Sequence, residues 1–303
     1  MSNINGGINI CIKELDSIYE LRSFRLHEEV GGKVSHGEFL VSFSQENARS
    51  DFYELTIDIS NDSGYSLSII AYAYEIKYNI LSMEIKFICS KPEFIKTNLV
   101  KSYTSVLDAI NSNWSGNFDY PSGSDIQCDI HQRSQTGYQL VSNLIKCLRF
   151  KSAYGFRCDE LFIRDLNDNF DFDIGEQGLS VQLDGISISK SKVKDLSPIS
   201  EDLDINTSIT YSKSFKQVRT EYTELVKNYF VNNALIKTLG SYKIPIKYSR
   251  FDPQMKVGNI LKYQLKDLNF NRFLVYSKDM NWTRGLGITT VIELIGYDWS
   301  EIN

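Results

Sequence analysis

The sequence predicts a β-rich α+β protein in which two antiparallel β modules flank a helix- and loop-containing middle. Three observations carry that prediction. Apolar and polar residues alternate over long runs in 38–90, which is the period of half-buried strands, and strand-like apolar runs return in the last third of the chain. Between these regions the apolar period becomes helical, most clearly at 138–150. Aromatics make up 13% of the chain, with 18 Tyr and 17 Phe, residue types that pack well on a pleated surface.

Taken in order, Ile8-Asn9-Ile10-Cys11-Ile12 alternates like a strand, whereas Leu21, Phe24 and Leu26 within 18–29 fit neither period. Phe39, Val41 and Phe43 alternate, then Leu55, Ile57 and Ile59. After the turn-forming Asn61-Asp62-Ser63-Gly64, Tyr65, Leu67 and Ile69 continue the pattern. The alternation slips at Ile69-Ile70 and resumes at Tyr72, Tyr74, Ile76 and Tyr78, so a bulge or bend is expected there. Met83, Ile85, Phe87 and Cys89 complete a four-stranded antiparallel meander.

Within 94–113, Leu99, Tyr103, Val106, Leu107 and Ile110 recur at helical spacing. Residues 111–137 are rich in Asn, Ser, Gly and Asp and read as a long surface loop. The helix at 138–150 places Leu140, Val141, Leu144, Ile145 and Leu148 on one face. Strand-like Gly155–Cys158 and Leu161–Ile163 follow. A helix around Val218, Tyr222, Leu225, Val226 and Tyr229 precedes strands at 244–248, 260–265 and 273–276. The closing run 288–297 is apolar on both faces, which suits a central strand. The expected units are 1–93, 94–204 and 205–303, the last with a leading helix.

Charge sharpens this division. With 33 Lys and Arg against 38 Asp and Glu, the chain carries −5, which excludes a uniformly basic nucleic-acid coat. Residues 159–204 hold 12 acidic and 4 basic residues, a balance of −8. Residues 211–278 hold 13 basic and 4 acidic, a balance of +9. Complementary segments of opposite sign can steer one copy onto another and fix its register.

The five cysteines, Cys11, Cys89, Cys128, Cys147 and Cys158, are odd in number and lack zinc-site spacing, so single thiols are expected. Neither a signal peptide nor a membrane span is legible, and the expectation is a soluble chain made in a cytoplasm. His27, His36 and His131 are too scattered in sequence for a metal motif. The acidic stretch 165–176 puts oxygen-bearing side chains at several calcium-loop positions, but Phe170 stands where such a loop needs Gly. A solvated acidic loop or contact surface is the competing reading. No Gly-x-Ser-x-Gly or phosphate-binding glycine loop is present, and no cofactor is expected.

Three stretches resemble the baseplate hub proteins of contractile-tail bacteriophages and the hub-like part of type VI secretion spike proteins. The first is Phe24-Arg25-Leu26-His27-Glu28-Glu29 leading into Gly37-Glu38-Phe39-Leu40-Val41. The second runs from Gln135-Thr136-Gly137-Tyr138 through Asp159-Glu160-Leu161-Phe162-Ile163-Arg164-Asp165. The third comprises Val257-Gly258-Asn259-Ile260-Leu261, Arg272–Tyr276 and Gly287–Gly296. The resemblance implies two related β-barrel-like tube modules per chain, and a homotrimer presenting six modules in a ring. It implies a virion hub, assembled in the bacterial host cytoplasm, that adapts a sixfold tail tube to a threefold central spike. Its implied partners are tail tube proteins, the spike, baseplate wedge proteins, and DNA or tape measure in passage, with no membrane and no catalysis.

On that reading Leu67, Ile69, Tyr72, Tyr74, Ile260, Tyr263 and Val275 are expected in module cores and ring contacts. Plain intramodule core is the alternative for the same residues. Two other functions compete. One is a glycan- or receptor-binding tail protein using Trp114 and Trp282 as loop platforms. The other is a glycan-degrading enzyme with a carboxylate pair such as Asp159-Glu160.

Overall fold

A computed structural model describes residues 8–15, 18–31, 33–43, 52–61, 64, 66–119, 127–148, 152–158, 160–166, 169–173, 243–248, 255–262 and 272–296. The 218–229 helix, Tyr263, and most of the acidic and basic segments lie outside these residues.

The first region forms six strands: β1 (Ile8–Ile12), β2 (Tyr19–Glu29), β3 (His36–Phe43), β4 (Glu54–Asn61), β5 (Ser66–Tyr78) and β6 (Ser82–Ile88). Their alternation places Phe24, Phe39, Val41, Leu55, Ile57, Ile59, Ile69, Met83, Ile85 and Phe87 in one core. Strands β4, β5 and β6 form consecutive hairpins, but β3 pairs with β6 and β2, leaving the order β1-β4-β5-β6-β3-β2. The simple meander is thereby corrected to a Greek-key-like arrangement. Within β5, Ile69 faces the core and Ile70 faces out without any break in pairing to β4. The irregularity falls between Ala73 and Glu75 instead, at Tyr74.

The middle region holds α1 (Pro92–Lys96), β7 (Asn98–Ser105), α2 (Val106–Asn113), β8 (Asn117–Asp119), β9 (Gln127–Thr136), α3 (Gly137–Leu148), β10 (Ser152–Arg157) and β11 (Glu160–Asp165). Two sequence expectations fail here. The helix expected across 94–113 is broken by strand β7, and the expected loop 111–137 contains β8 and β9. Strands β7 and β9 pair as a separate two-stranded ribbon. Helix α2 starts at Ser105, whose hydroxyl accepts from the Asp108 amide at 3.0 Å. Helix α3 starts with a reciprocal cap: Gln139 N–H donates to Thr136 Oγ1, and Thr136 N–H donates to Gln139 Oε1. Phe94, Trp114, Tyr138 and Phe156 cluster with ring centroids 5.1–6.0 Å apart over this second core.

Closing strands β12 (Phe172–Asp173), β13 (Lys243–Tyr248), β14 (Ile260–Lys262), β15 (Arg272–Thr283) and β16 (Gly287–Gly296) continue the main sheet. As its two apolar faces suggest, β16 is central, lying between β13 and β15. One edge of β15 follows β16. The other is divided, with 272–274 pairing β14 and 277–283 pairing β2. The two β regions therefore share one curled, mostly antiparallel sheet, eleven-stranded among the described residues. A bulge at Tyr276 re-aims the shared strand. Before it, Phe273, Leu274 and Val275 join a third core with Val257, Ile260 and Leu294. After it, Met280 and Trp282 pack on the first core.

Candidate assembly surfaces and the seam between modules

The seam is built where β2 meets the second half of β15. His27 and Asp279 are cross-strand partners, and the His27 Nδ1 lies 3.0 Å from Asp279 Oδ1. The opposite ring nitrogen, Nε2, lies 3.3 Å from Glu29 Oε2. These two carboxylates hold the His27 proton and raise its pKa from 6.5 to about 9, against the opposing effect of burial. The same contacts lower Glu29 to about 2 and pull Asp279 below its usual range. Arg25 also reaches Asp279 at 3.1 Å, and Lys33 reaches Glu29 at 2.8 Å. One position along, buried Glu28 faces buried Lys278, whose ammonium donates to the Met255 carbonyl at 2.9 Å. At the end of β2 the Val30 amide donates to the Tyr276 carbonyl, and the Gly31 amide to the Tyr154 carbonyl. All three regions of the chain meet at this point.

A polar recess of about 260 Å³ lies between the middle region and the closing strands. Its charges are paired: Arg157 with Asp119 at 3.0 Å and Glu160 at 3.2 Å, Lys256 with Glu160 at 3.4 Å, and Arg164 with Asp171 at 3.0 Å. Asp171 Oδ2 accepts from the Ile260 amide as well, so this residue of the calcium-like stretch is committed to holding β14. Glu160 is held by two cations, and Asp159 lies outside the described residues. Among the described residues no group of three or more His, Cys, Asp or Glu side chains is arranged to hold a metal.

The residues singled out from sequence occupy different environments. Ile69, Ile260 and Val275 are fully buried in their cores, and Leu67 packs partly buried against the first. Tyr72 lies on the opposite face of β5, buried against the ring of Tyr53 at a centroid distance of 5.8 Å. Tyr74, at the bulge, is 48% exposed. The sequence reading missed Tyr53 and Ile70, both more than half exposed beside Tyr72. It also missed Ile80 at 81%, in the β5–β6 turn, and Val100 at 81% on the β7–β9 ribbon. Ile80 carried a usable signal: an aliphatic residue in a turn between two alternating strands has no core face to occupy. Trp114 is buried, with its indole donating to the Asn117 carbonyl, and Trp282 lies within β15 against the first core. These placements correct the expectation of exposed loop platforms.

The main sheet branches at β15, and three of its strands have one paired edge among the described residues: β1 at one end, and β12 and β13 at the ends of the two branches. Pro245 in β13 fits an edge strand, where a missing N–H breaks no interior ladder.

This architecture has close structural counterparts. The E. coli c3393 protein is a type VI secretion component with structural similarity to the T4 bacteriophage tail proteins gp27 and gp5. It aligns with a TM-score of 0.62 at 10% identity, over 96% of this chain and 77% of its own. The tail protein from Neisseria meningitidis MC58 aligns at 0.63 and 9%, over 96% and 97%. The 43 kDa tail protein of prophage MuSo2 from Shewanella oneidensis aligns at 0.60 and 8%, over 95% and 98%. The chain has the tail-protein fold. No family model and no curated protein sequence matches it, so the likeness lies in structure. The three alignments each span 95–96% of this chain. No helix among the described residues is long and apolar enough to cross a membrane.

Proposed function

We propose that this chain is a structural baseplate hub: a homotrimer that adapts a sixfold tail tube to a threefold central spike and lines the channel between them. The observation that carries the reading is the tail-protein fold built around a shared strand. Because β15 completes both β regions, each copy carries two sheet segments at a fixed offset, which suits a ring of three chains and six positions. Terminal strands β1 and β13 supply edges that a closed ring would cover.

In this reading Tyr74 acts with Tyr53 and Ile70 as a subunit contact, with buried Tyr72 supporting the Tyr53 ring, since exposed aromatic and aliphatic side chains on a strand face are typical interface anchors. Leu67, Ile69, Ile260 and Val275 hold the modules that present it. The assembly would take tail tube and spike proteins as partners, with wedge proteins outside and DNA or tape measure passing through, and would perform no catalysis.

Light scattering of the purified chain tests the proposal. Three copies of 34.8 kDa give a trimer of roughly 100 kDa. The paired change Ile70→Asp and Tyr74→Asp should yield folded monomers. A wild-type monomer at high concentration and low salt refutes the hub.

A further inference from the structure

A ring of three copies joins two different surfaces head to tail, because a surface that meets its own copy closes a two-fold pair instead. The patch of Tyr53, Ile70 and Tyr74 therefore needs a second surface elsewhere on the chain. The other exposed large apolar side chains among the described residues are Ile80, Leu81, Leu99, Val100 and Leu286. Ile80 and Leu81 stay close to the patch, in the turn that ends β5, the strand carrying Ile70 and Tyr74. Leu99 and Val100 stay close as well, following within seven residues of Glu93, which accepts from the Tyr53 hydroxyl. Leu286 is set apart. It crowns the β15–β16 turn, and β6, β3 and β2 stand between β5 and β15, roughly 20 Å measured along the sheet.

Leu286 is also the most exposed of these residues, at 85%. Its amide donates to the Thr283 carbonyl at 3.0 Å, and Gly285 and Gly287 beside it take φ of +79° and +80°. The turn so fixed holds an aliphatic side chain out as a knob. Charge distinguishes the two surfaces. Arg284 and Arg22 flank the knob, joined by a hydrogen bond from the Arg284 amide to the Arg22 carbonyl at 3.0 Å. Both side chains are half-exposed and share Glu20, so two positive charges meet one negative. The patch has the opposite sign. Exposed Glu54 lies across from Tyr72, and exposed Glu93 sits 3.4 Å from the Tyr53 hydroxyl.

We propose that the Leu286 turn of one copy docks on Tyr53, Ile70 and Tyr74 of the next, with Arg284 and Arg22 facing Glu54 and Glu93. Resting on the trimeric hub reading, this pairing names the second half of its subunit contact. Leu286 and the tyrosine rings supply an apolar centre, and the charges at its rim set the orientation in which the copies meet. Each copy uses each surface once, so a closed ring of three leaves neither exposed.

The test has two arms, both on the full-length chain. In the first, light scattering compares wild type with Leu286→Asp, whose side chain touches no core. The variant should keep the wild-type circular dichroism spectrum and lose the trimer, leaving monomers. In the second, the photoreactive amino acid p-benzoylphenylalanine replaces Leu286, and trimers are assembled from a mixture of heavy-nitrogen-labelled and unlabelled chains. Illumination should join position 286 of one copy to a peptide containing Tyr53, Ile70 or Tyr74 of another, seen as mixed-label peptide pairs. This arm decides the matter even if Leu286→Asp fails to fold. The docking is overturned if folded Leu286→Asp remains a trimer, if the crosslinks stay within one copy or reach other residues, or if none form in an intact trimer. Each of those results leaves the trimeric hub standing, whereas a wild-type monomer removes the hub and this contact together.

Discussion

Replacing His27 by Gln should flatten the alkaline limb of the stability profile. The His27 ring is gripped by Asp279 across the seam and by Glu29 on its own strand, which carries its pKa from 6.5 to about 9. A group whose folded pKa is raised stabilises fully below its unfolded value and loses that contribution as pH climbs through the folded one. The loss therefore runs from about pH 6.5 to 9. A rise of roughly 2.5 units corresponds to a ceiling of ~3.4 kcal/mol at 1.36 kcal/mol per unit. The ring is 21% solvent-exposed, and its partners also bind Arg25 and Lys33, so screening and competition reduce the expected effect to about 1–2 kcal/mol. Glu29 and Asp279 carry the opposite sign. Their contribution is complete above the usual carboxylate range and fades on acidification, for Glu29 down to about pH 2. The three groups share one interaction, so these contributions are not added.

Urea unfolding at pH 6, 7.5 and 9.5 reads the effect directly, and a proton NMR titration of the His27 ring reads its cause. Wild type should lose about 1–2 kcal/mol across that interval, with the ring titrating near pH 9. The His27→Gln variant should lose that much less over the same interval. A ring midpoint near 6.5, or equal slopes for the two proteins, would show that the seam does not hold the proton.

Three further outcomes follow from packing. Gly258→Ala should destabilise by about 2–4 kcal/mol in urea melts, because φ is +89° and a Cβ would come within 2.4 Å of the Phe162 ring. Gly285→Ala, with φ +79° and nothing within 4 Å, should cost only about 1 kcal/mol, and equal losses would refute the argument. Tyr103→Phe should cost about 1–3 kcal/mol in thermal melts, since it strands the fully buried Gln132 Oε1 that the hydroxyl serves at 2.7 Å. Deleting Tyr276 should lower the thermal midpoint and weaken near-ultraviolet circular dichroism, because it removes the bulge that bends β15 and the carbonyl that accepts from the Val30 amide at 2.8 Å.

What could be read from the sequence depended on whether a strand buries one apolar face. β4, β5 and β6 do, and their alternation exposed them. β9 does not: its buried side chains are Ile130, Gln132 and Thr136 among the described residues, and Gln132 is satisfied by Tyr103 rather than by apolar contact, so the strand looked like loop. The failure at β7 has a different origin. Tyr103, Val106 and Ile110 all reach the same core, but they do so across a strand–helix boundary at Ser105, and their spacing imitates one continuous helix. β15 was read only to Tyr276 because Ser277, Lys278 and Asp279 interrupt the apolar run. Those are the residues that pair with β2, and polar partners on that strand are what make the position tolerable. The surface residues around Tyr72 were half legible. Ile69 and Ile70 looked like a slip in register, when the second of them is simply an exposed side chain on an unbroken strand.

The polarity of the seam bears on how the two β regions are set against each other. An apolar join would tolerate several registers between β2 and β15, because hydrophobic contact is non-directional. Here His27 must meet Asp279, and Glu28 must lie opposite Lys278, whose ammonium is satisfied by the Met255 carbonyl. A shift of one residue would reverse every side chain on the strand and leave buried charge without its partner, a penalty larger than the net gain of the pairs themselves. The bulge at Tyr276 then sets where the strand leaves one core and enters the other. Register and bulge together make the offset between the two regions a property of one strand. A ring built from such chains would inherit its spacing from that strand, whichever surfaces join the copies.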